Sequence, residues 1–295
     1  MRLVQGVFIH AILIWGCTGA NFGHMSKVIL VTGASSGIGL SIAGVLASKG
    51  HRVFGTSRRD ASLFGHLPFE IVQMDVTDES QVKEGIELIR TKAGTIDVVV
   101  NNAGLGMIGP VESISDAEVR EIFDTNVFGV LNMCRYAVPA LRDAGGGYII
   151  NITSIAGQMG LPFRGIYSSS KFAVEGFTES LSQEVRQFGI KVCLIEPGDF
   201  RTNINESRRV AGVVHPSYSD QSDLVLHQVC EEVSRARTPE VIGHLVNGII
   251  HDPHPALRYR AANLLQRFSL TLMRVLPDRW FENIIMRYYR LGTKG

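Results

Sequence analysis

Three side chains in the 295-residue chain have the types and spacings needed for proton-coupled chemistry at a carbon–oxygen bond. Tyr167 and Lys171 lie four residues apart in Tyr167-Ser168-Ser169-Ser170-Lys171, at the start of a predicted helix. That spacing puts them on one helix face, with Cβ atoms about 5–6 Å apart. An ammonium beside a phenol favours the phenolate, drawing its pKa from about 10 toward a range useful for proton transfer. The same pair also arises on ordinary solvated helix faces. Ser154 strengthens the catalytic reading, because it ends a predicted strand in Ile152-Thr153-Ser154, upstream of Tyr167. Ligands of open α/β sheets sit beyond the carboxyl ends of strands. There the hydroxyl would hydrogen-bond a carbonyl oxygen and stabilise a developing alkoxide. The bland alternative is a serine that closes a strand at a turn. Asn126 falls inside a helical pattern, where Asn is mildly unfavourable unless its side chain has a task.

These groups need a scaffold, and the hydrophobic pattern supplies one. Short β-branched runs alternate with longer amphipathic stretches from Lys27 to about Leu194, the signature of a parallel sheet with crossover helices. Strands are predicted at Val28–Val31, Arg52–Thr56, Glu70–Met74, Val98–Val100, Tyr148–Ile152 and Lys191–Ile195. Helices are predicted at Ile38–Ser48, Asp78–Lys92, Asp116–Leu141 and Ile166–Phe188. Nearly continuous apolar strands suit a sheet covered on both faces. After Pro197 the segment 199–237 reads as polar and irregular, and such a stretch suits a mobile cover over an apolar pocket. Thr238-Pro239-Glu240 then supplies an N-cap, an N1 proline and an acid for a helix to about Ile250. Leu257–Tyr259 reads as a last strand, followed by two tail helices at Leu264–Leu276 and Arg279–Arg290.

The octet Thr32-Gly33-Ala34-Ser35-Ser36-Gly37-Ile38-Gly39 joins the first strand to the first helix. Glycine permits the turn and removes Cβ atoms from the contact surface, while N–H groups at the helix start attract phosphate. A glycine-rich turn with a purely structural role is the competing reading. Together, the octet, Ser154, Tyr167 and Lys171 resemble the short-chain dehydrogenase/reductase family over about Lys27 to Thr202. The resemblance implies a single Rossmann-type α/β domain, with a doubly wound, mostly parallel sheet and helices on both faces. Here that domain would carry a C-terminal helical extension. It implies a nicotinamide cofactor held by Gly33, Ser35, Ser36, Gly37, Ile38 and Gly39, by Asp75 and Val76 at the adenine, and by Asn102, Ala103 and Gly104 on the floor. Pro197, Gly198 and Thr202 would meet the carboxamide, and Tyr167 and Lys171 would touch the cofactor as well as substrate. Asn126 is implied as a fourth catalytic member, holding a water near Lys171.

The cofactor is expected to be NADP(H). No acid ends the second strand; Ser57, Arg58 and Arg59 stand there instead. An acid would repel a 2′-phosphate, whereas a hydroxyl and a guanidinium fork bind it. A solvated basic turn beside Asp60 is the alternative.

Composition narrows the rest. A net charge of +1 argues against nucleic acid as a partner. Cys17, Cys134, Cys193 and Cys230 form no C-x-x-C pair, which suits reduced thiols in a cytosolic compartment, and no metal is expected. His251 and His254 flank Pro253 and read as a turn. Residues 1–24 read as a leader or as an extension preceding a start at Met25, with the domain running 25–295. The tail at 263–295 mixes Phe268, Leu272, Trp280, Phe281 and Tyr288 with arginines. It reads as a packed or subunit-contact helix pair, or as a cover or membrane-surface element. The tail is similar to that of hydroxysteroid and retinol dehydrogenases, which implies a hydrophobic alcohol or ketone as the small-molecule partner. A homo-oligomer, dimer or tetramer, goes with this, as does a cytoplasmic location with possible membrane association. A 3-oxoacyl reductase and a non-catalytic NADP(H)-binding sensor are the alternatives.

Overall fold

The computed structural model describes residues 26–202 and 208–292, so the leader reading for 1–24, Met25 and part of the 199–237 cover lie outside the described residues. The first strand, β1 (Val28–Val31), is buried at every position, as a strand sheathed on both faces must be. It is followed by α1 (Gly37–Ser48), β2 (Arg52–Ser57), β3 (Glu70–Gln73), α2 (Glu79–Ala93) and β4 (Val98–Asn101). A short β5 (Met107–Ile108) precedes α3 (Asp116–Phe123), α4 (Gly129–Asp143), β6 (Gly147–Ile152), α5 (Gly165–Glu184) and β7 (Ile190–Pro197). Then come β8 (Arg209–Val210), helices at Ser219–Arg235 and Glu240–Ile249, β9 (Arg258–Ala261), and tail helices at Leu264–Val275 and Asp278–Tyr288.

Seven strands pair in parallel in the order β3-β2-β1-β4-β6-β7-β9, with Ile29 opposite Val53 on one side and Val98 on the other. Strand order reverses between β1 and β4, and a crevice opens there at the carboxyl ends. One sheet face is covered by α1 and the Glu240–Ile249 helix through Ile42, Leu46, Ile242 and Val246. The other is covered by α2, α4 and α5 through Ile86, Met133, Ala137 and Val174. This is the doubly wound Rossmann-type sheet expected from the sequence.

Several elements differ from expectation. The predicted helix over Asp116–Leu141 is interrupted by a π turn at Asp124–Phe128. Asn126 lies in this turn, fully buried, with its side chain bonding both main-chain groups of Leu105. The predicted irregular stretch 199–237 contains the helix Ser219–Arg235, whose Val225, Val229 and Val233 are buried at helical spacing. Its many exposed polar positions hid that narrow stripe. β9 spans Arg258–Ala261 rather than Leu257–Tyr259, because β7 runs on to Pro197 and carries the ladder with it, pairing Pro197 with Ala261. Pro239 also stands just before its helix rather than as its first residue.

The last strand is tied to the floor of the crevice by charge. Arg258 reaches Glu175 at 2.7 Å, Glu179 at 2.8 Å and the fully buried Glu196 at 2.5 Å. Glu175 in turn accepts from Thr153 Oγ1 at 2.6 Å, which fixes the residue preceding Ser154.

Candidate active site

A cavity of about 760 Å³ opens over the carboxyl ends of the strands and brings together nearly all the residues singled out by the sequence. At one end lies the glycine loop. Gly33 and Gly37 have φ of 64° and 56°, a left-handed backbone that a side chain would strain. Ser36 caps α1 with its backbone alone, so its side chain claims none of the first-turn N–H groups, and no acid stands in that turn. Gly33, Ser35, Ser36, Gly37 and Ile38 line the cavity, an arrangement that fits a diphosphate. Gly39 does not line it. A Cβ there would lie 2.4 Å from both Asn102 Nδ2 and Gly33 O, so this glycine serves the close approach of helix to loop.

Thr32 fixes the floor against this loop. Its Oγ1 accepts from the N–H groups of Asn102 and Ala103 at 2.9 and 3.0 Å, and its carbonyl accepts from Asn102 Nδ2 at 2.9 Å. Ala103, Gly104, Asp75 and Val76 line the wall. Asp75 Oδ1 also accepts from Thr77 N at 2.9 Å, which holds the turn after β3. Ser57, Arg58 and Arg59 form the far rim; Ser57 is buried, and Arg59 lies over the Phe64 ring at 4.9 Å. Arg58 projects outward as an exposed side chain. These residues fit a dinucleotide, and Pro197, Gly198 and Thr202 line the side facing Ser154.

Ser154, Tyr167 and Lys171, singled out as candidates by the sequence, line the cavity together. Ser154 Oγ hydrogen-bonds Tyr167 and accepts from Ala156 N–H at 3.1 Å. Lys171 is buried, donates from Nζ to Ile152 O at 3.2 Å, and stands 5.9 Å from the centroid of the Tyr167 ring. Asn126 does not line the cavity. Its Oδ1 accepts from Leu105 N at 2.7 Å, and its Nδ2 donates to Leu105 O at 2.9 Å and Ser170 Oγ at 3.0 Å. It adjoins Lys171 across Gly104, where a Cβ would sit 3.2 Å from Asn126 Oδ1 and 3.5 Å from Lys171 Nζ. Its side chain thus braces the Gly104–Leu105 floor beside Lys171.

The electrostatics depart from the simple ammonium-and-phenol picture. Burial raises the Tyr167 pKa; Ser154, Arg164 and Arg208 pull it down and Asp199 pushes it up, with burial the largest influence. Lys171 is itself lowered by burial to about 8, against the pull of Glu175 one turn further along α5. Desolvation of the phenol is thus the dominant influence, and the expected lowering by the lysine does not figure among the others. Burial keeps the phenol in its protonated form in the free chain.

At the other end the tail helices close over the cavity. Leu270, Phe281 and Tyr289 are buried against Ile155, Met159 and Leu161, while Phe268, Leu272 and Ile285 face the cavity. The tail is therefore both a packed element and a wall of the site. Arg164, Asp199, Arg208, Glu232 and Gln266 also line the cavity, and sequence reasoning did not single them out as site residues. Only Arg164 carried a local signal, as a cation just ahead of Tyr167. Phe163 before it has φ 57°, a strained conformation for a non-glycine residue of the kind that clusters at functional sites.

Among the described residues no group of three His, Cys, Asp or Glu side chains gathers to hold a metal, and His251 Nδ1 lies 2.7 Å from Asn247 O. No helix among the described residues is long and apolar enough to cross a membrane.

A nucleotide loop at the switch point of a doubly wound sheet, with a tyrosine, lysine and serine at its mouth, defines a class of nucleotide-dependent oxidoreductase. Residues 27–211 match the family model for short chain dehydrogenase, and the chain belongs to the short-chain dehydrogenase/reductase family. It is 38% identical to a 3-ketodihydrosphingosine reductase of Bacteroides thetaiotaomicron over 90% of this chain and 98% of the relative. It is 35% identical to the Homo sapiens retinol dehydrogenase 8, over 91% of this chain and 93% of the relative. The crystal structure of a short-chain dehydrogenase from Streptomyces avermitilis superposes with a TM-score of 0.78 at 30% identity, covering 92% of this chain and all of that one.

Proposed function

We propose that this oxidoreductase is an NADP(H)-dependent enzyme interconverting a carbonyl and an alcohol on a lipophilic substrate. The observation that carries this reading is the cavity itself, which has the glycine loop at one end, an apolar tail wall at the other, and Tyr167 and Ser154 between. The nicotinamide cofactor supplies hydride to the substrate carbon when bound. In the reductive direction Ser154 donates a hydrogen bond to the substrate oxygen, and Tyr167 delivers a proton to that oxygen as it gains charge. Lys171 would hold the cofactor's ribose, and its ammonium stands beside the phenol ring. The long-chain and retinoid substrates in the names of the two relatives support lipophilicity over a small polar substrate.

Preference for NADP(H) rests on Ser57, Arg58 and Arg59 at a strand end without an acid. Arg58→Ala should lower the ratio of kcat/KM for NADPH over NADH by about tenfold to a hundredfold, as expected for a charge-assisted hydrogen bond. An unchanged ratio would remove Arg58 from the assignment. Oxidation of NADPH with a panel of long-chain ketones tests the activity itself, and silence across the panel alongside tight cofactor binding would favour a sensor.

The reading extends to a bilayer surface. Leu264, Phe268, Val275 and Trp280 are exposed on the tail, and Phe268 also lines the cavity, which supports an apolar face turned toward lipid. Co-sedimentation with anionic vesicles, weakened by Phe268→Ser with Trp280→Ser, is the expected result. Equal recovery of both proteins in the supernatant would contradict it. A homo-oligomer and a cytoplasmic setting belong to the same proposal.

A further inference from the structure

One buried carboxylate grips the chain on both sides of Ser154. Glu175 stands on α5 a single helical turn beyond Lys171 and is buried. Its Oε1 accepts from Thr153 Oγ1 at 2.6 Å, and its Oε2 accepts from Gln158 Nε2 at 3.1 Å. Thr153 immediately precedes Ser154, and Gln158 ends the short turn Ile155–Gly157 that follows it. That turn presses onto α5 so closely that a Cβ at Gly157 would lie 3.1 Å from Glu175 Cγ and 3.2 Å from Lys171 O. A third donor, Arg258 Nη2, reaches Oε2 at 2.7 Å and brings in β9.

Tying β9 to α5 does not account for a carboxylate at this place. Arg258 already reaches Glu179 and Glu196, and a buried ion pair adds little stability over apolar side chains of the same shape. What sets Glu175 apart is that it touches the Ser154 turn and acts on Lys171 at once. Its negative charge favours the ammonium, against the pull of burial. The other groups around Lys171 bring no formal charge. Tyr167 on the same helix is kept protonated by burial, Ile152 O accepts from Nζ at 3.2 Å, and Asn126 approaches from the π turn across Gly104.

We propose that Glu175 is a positioning residue of the reaction, clamping the turn that carries Ser154 and balancing the Lys171 ammonium with its negative charge. It meets neither substrate nor cofactor and acts through those two side chains. One carboxylate thereby links the orientation of the hydroxyl to the charge of the amine. This rests on the carbonyl-reductase reading above and adds to it the group that keeps its serine and lysine in working order.

Glu175→Gln keeps the shape and an acceptor for Thr153 while removing the charge. With NADPH and a long-chain ketone, the alkaline limb of its kcat/KM profile should move to lower pH by about one pH unit. The NMR resonance of Lys171 Cε in the cofactor-free protein should titrate at correspondingly lower pH. Glu175→Asp restores the charge on a shorter arm and should return both toward their wild-type positions. Thr153→Val leaves the charge and removes the bond to Oε1, so kcat should fall about tenfold while the limb stays in place. This variant tests the clamp by itself should Glu175→Gln not fold. Wild-type kcat in Thr153→Val, or a limb and a Lys171 titration unmoved in Glu175→Gln, would overturn the proposal and leave Glu175 a tie for β9. Absence of NADPH oxidation with every ketone, in the wild type as in the variants, overturns the parent reading instead, and the Lys171 titration still decides whether Glu175 sets that charge.

Discussion

Replacing Tyr167 with Phe should lower kcat by about 10³-fold, within the range for loss of a positioned general acid. Cofactor affinity should change by no more than about threefold, since uniform binding is not what a transition-state group supplies. The ring is retained, and it packs in the cluster formed with Ile155, Met159 and Leu161, so the fold should not be disturbed. Only the hydroxyl that hydrogen-bonds Ser154 is removed. Because burial raises the phenol's pKa, the acid form persists through the neutral range, and the deficit should be the same at pH 6 and pH 8. Steady-state kinetics together with titration of cofactor fluorescence separates the two quantities. Retention of wild-type kcat would exclude the phenol as the proton donor.

Lys171→Met should cost about 10²-fold in kcat/KM for reduction, and its larger signature should lie in the pH profile. Burial lowers this ammonium from 10.5 to about 8, so its charge is present below that pH and lost above it. The wild-type kcat/KM, which reports groups of the unliganded enzyme, should therefore fall about tenfold per pH unit on the alkaline side of that value. The methionine variant should show a low, flat profile over the same range. Unfolding driven by this group does not explain such a limb. The unfolded chain keeps the lysine protonated to about 10.5, so between about 8 and 10.5 it binds more protons than the native state and stability rises with pH. A variant profile parallel to the wild type would place the titration elsewhere.

The parts of the molecule legible in the sequence are those fixed by local chemistry. β1 is a run of four buried aliphatics, and the turn after it requires glycine at Gly33 and Gly37, where φ is positive. Tyr167 and Lys171 were readable because a helix converts a spacing of four residues into proximity. Asn126 stands out in the sequence as an Asn inside a helical pattern, but its bonds to Leu105 and Ser170 depend on a π turn that no period in the sequence announces. The helix Ser219–Arg235 was missed because a stripe of three valines is narrow beside so much exposed polar surface. Nor could the sequence foretell that burial, rather than Lys171, would dominate the phenol, since desolvation depends on the tail helices folding back over the site. The polar residues lining the cavity were hidden for the same reason. Arg164, Asp199, Glu232 and Gln266 come from separate elements and meet only in the folded chain.

The claim on which the rest depends is that Tyr167, Ser154 and Lys171 act together on a carbonyl presented to a nicotinamide in this cavity. Reduction of a long-chain ketone with NADPH deuterated at the transferred C4 position tests it most directly. Mass spectrometry of the product should show one deuterium on the new carbinol carbon with the wild type, and a corresponding near-loss of labelled product with Tyr167→Phe. Label reaching the carbinol carbon undiminished in the Phe variant, or an alcohol formed without deuterium, would contradict it.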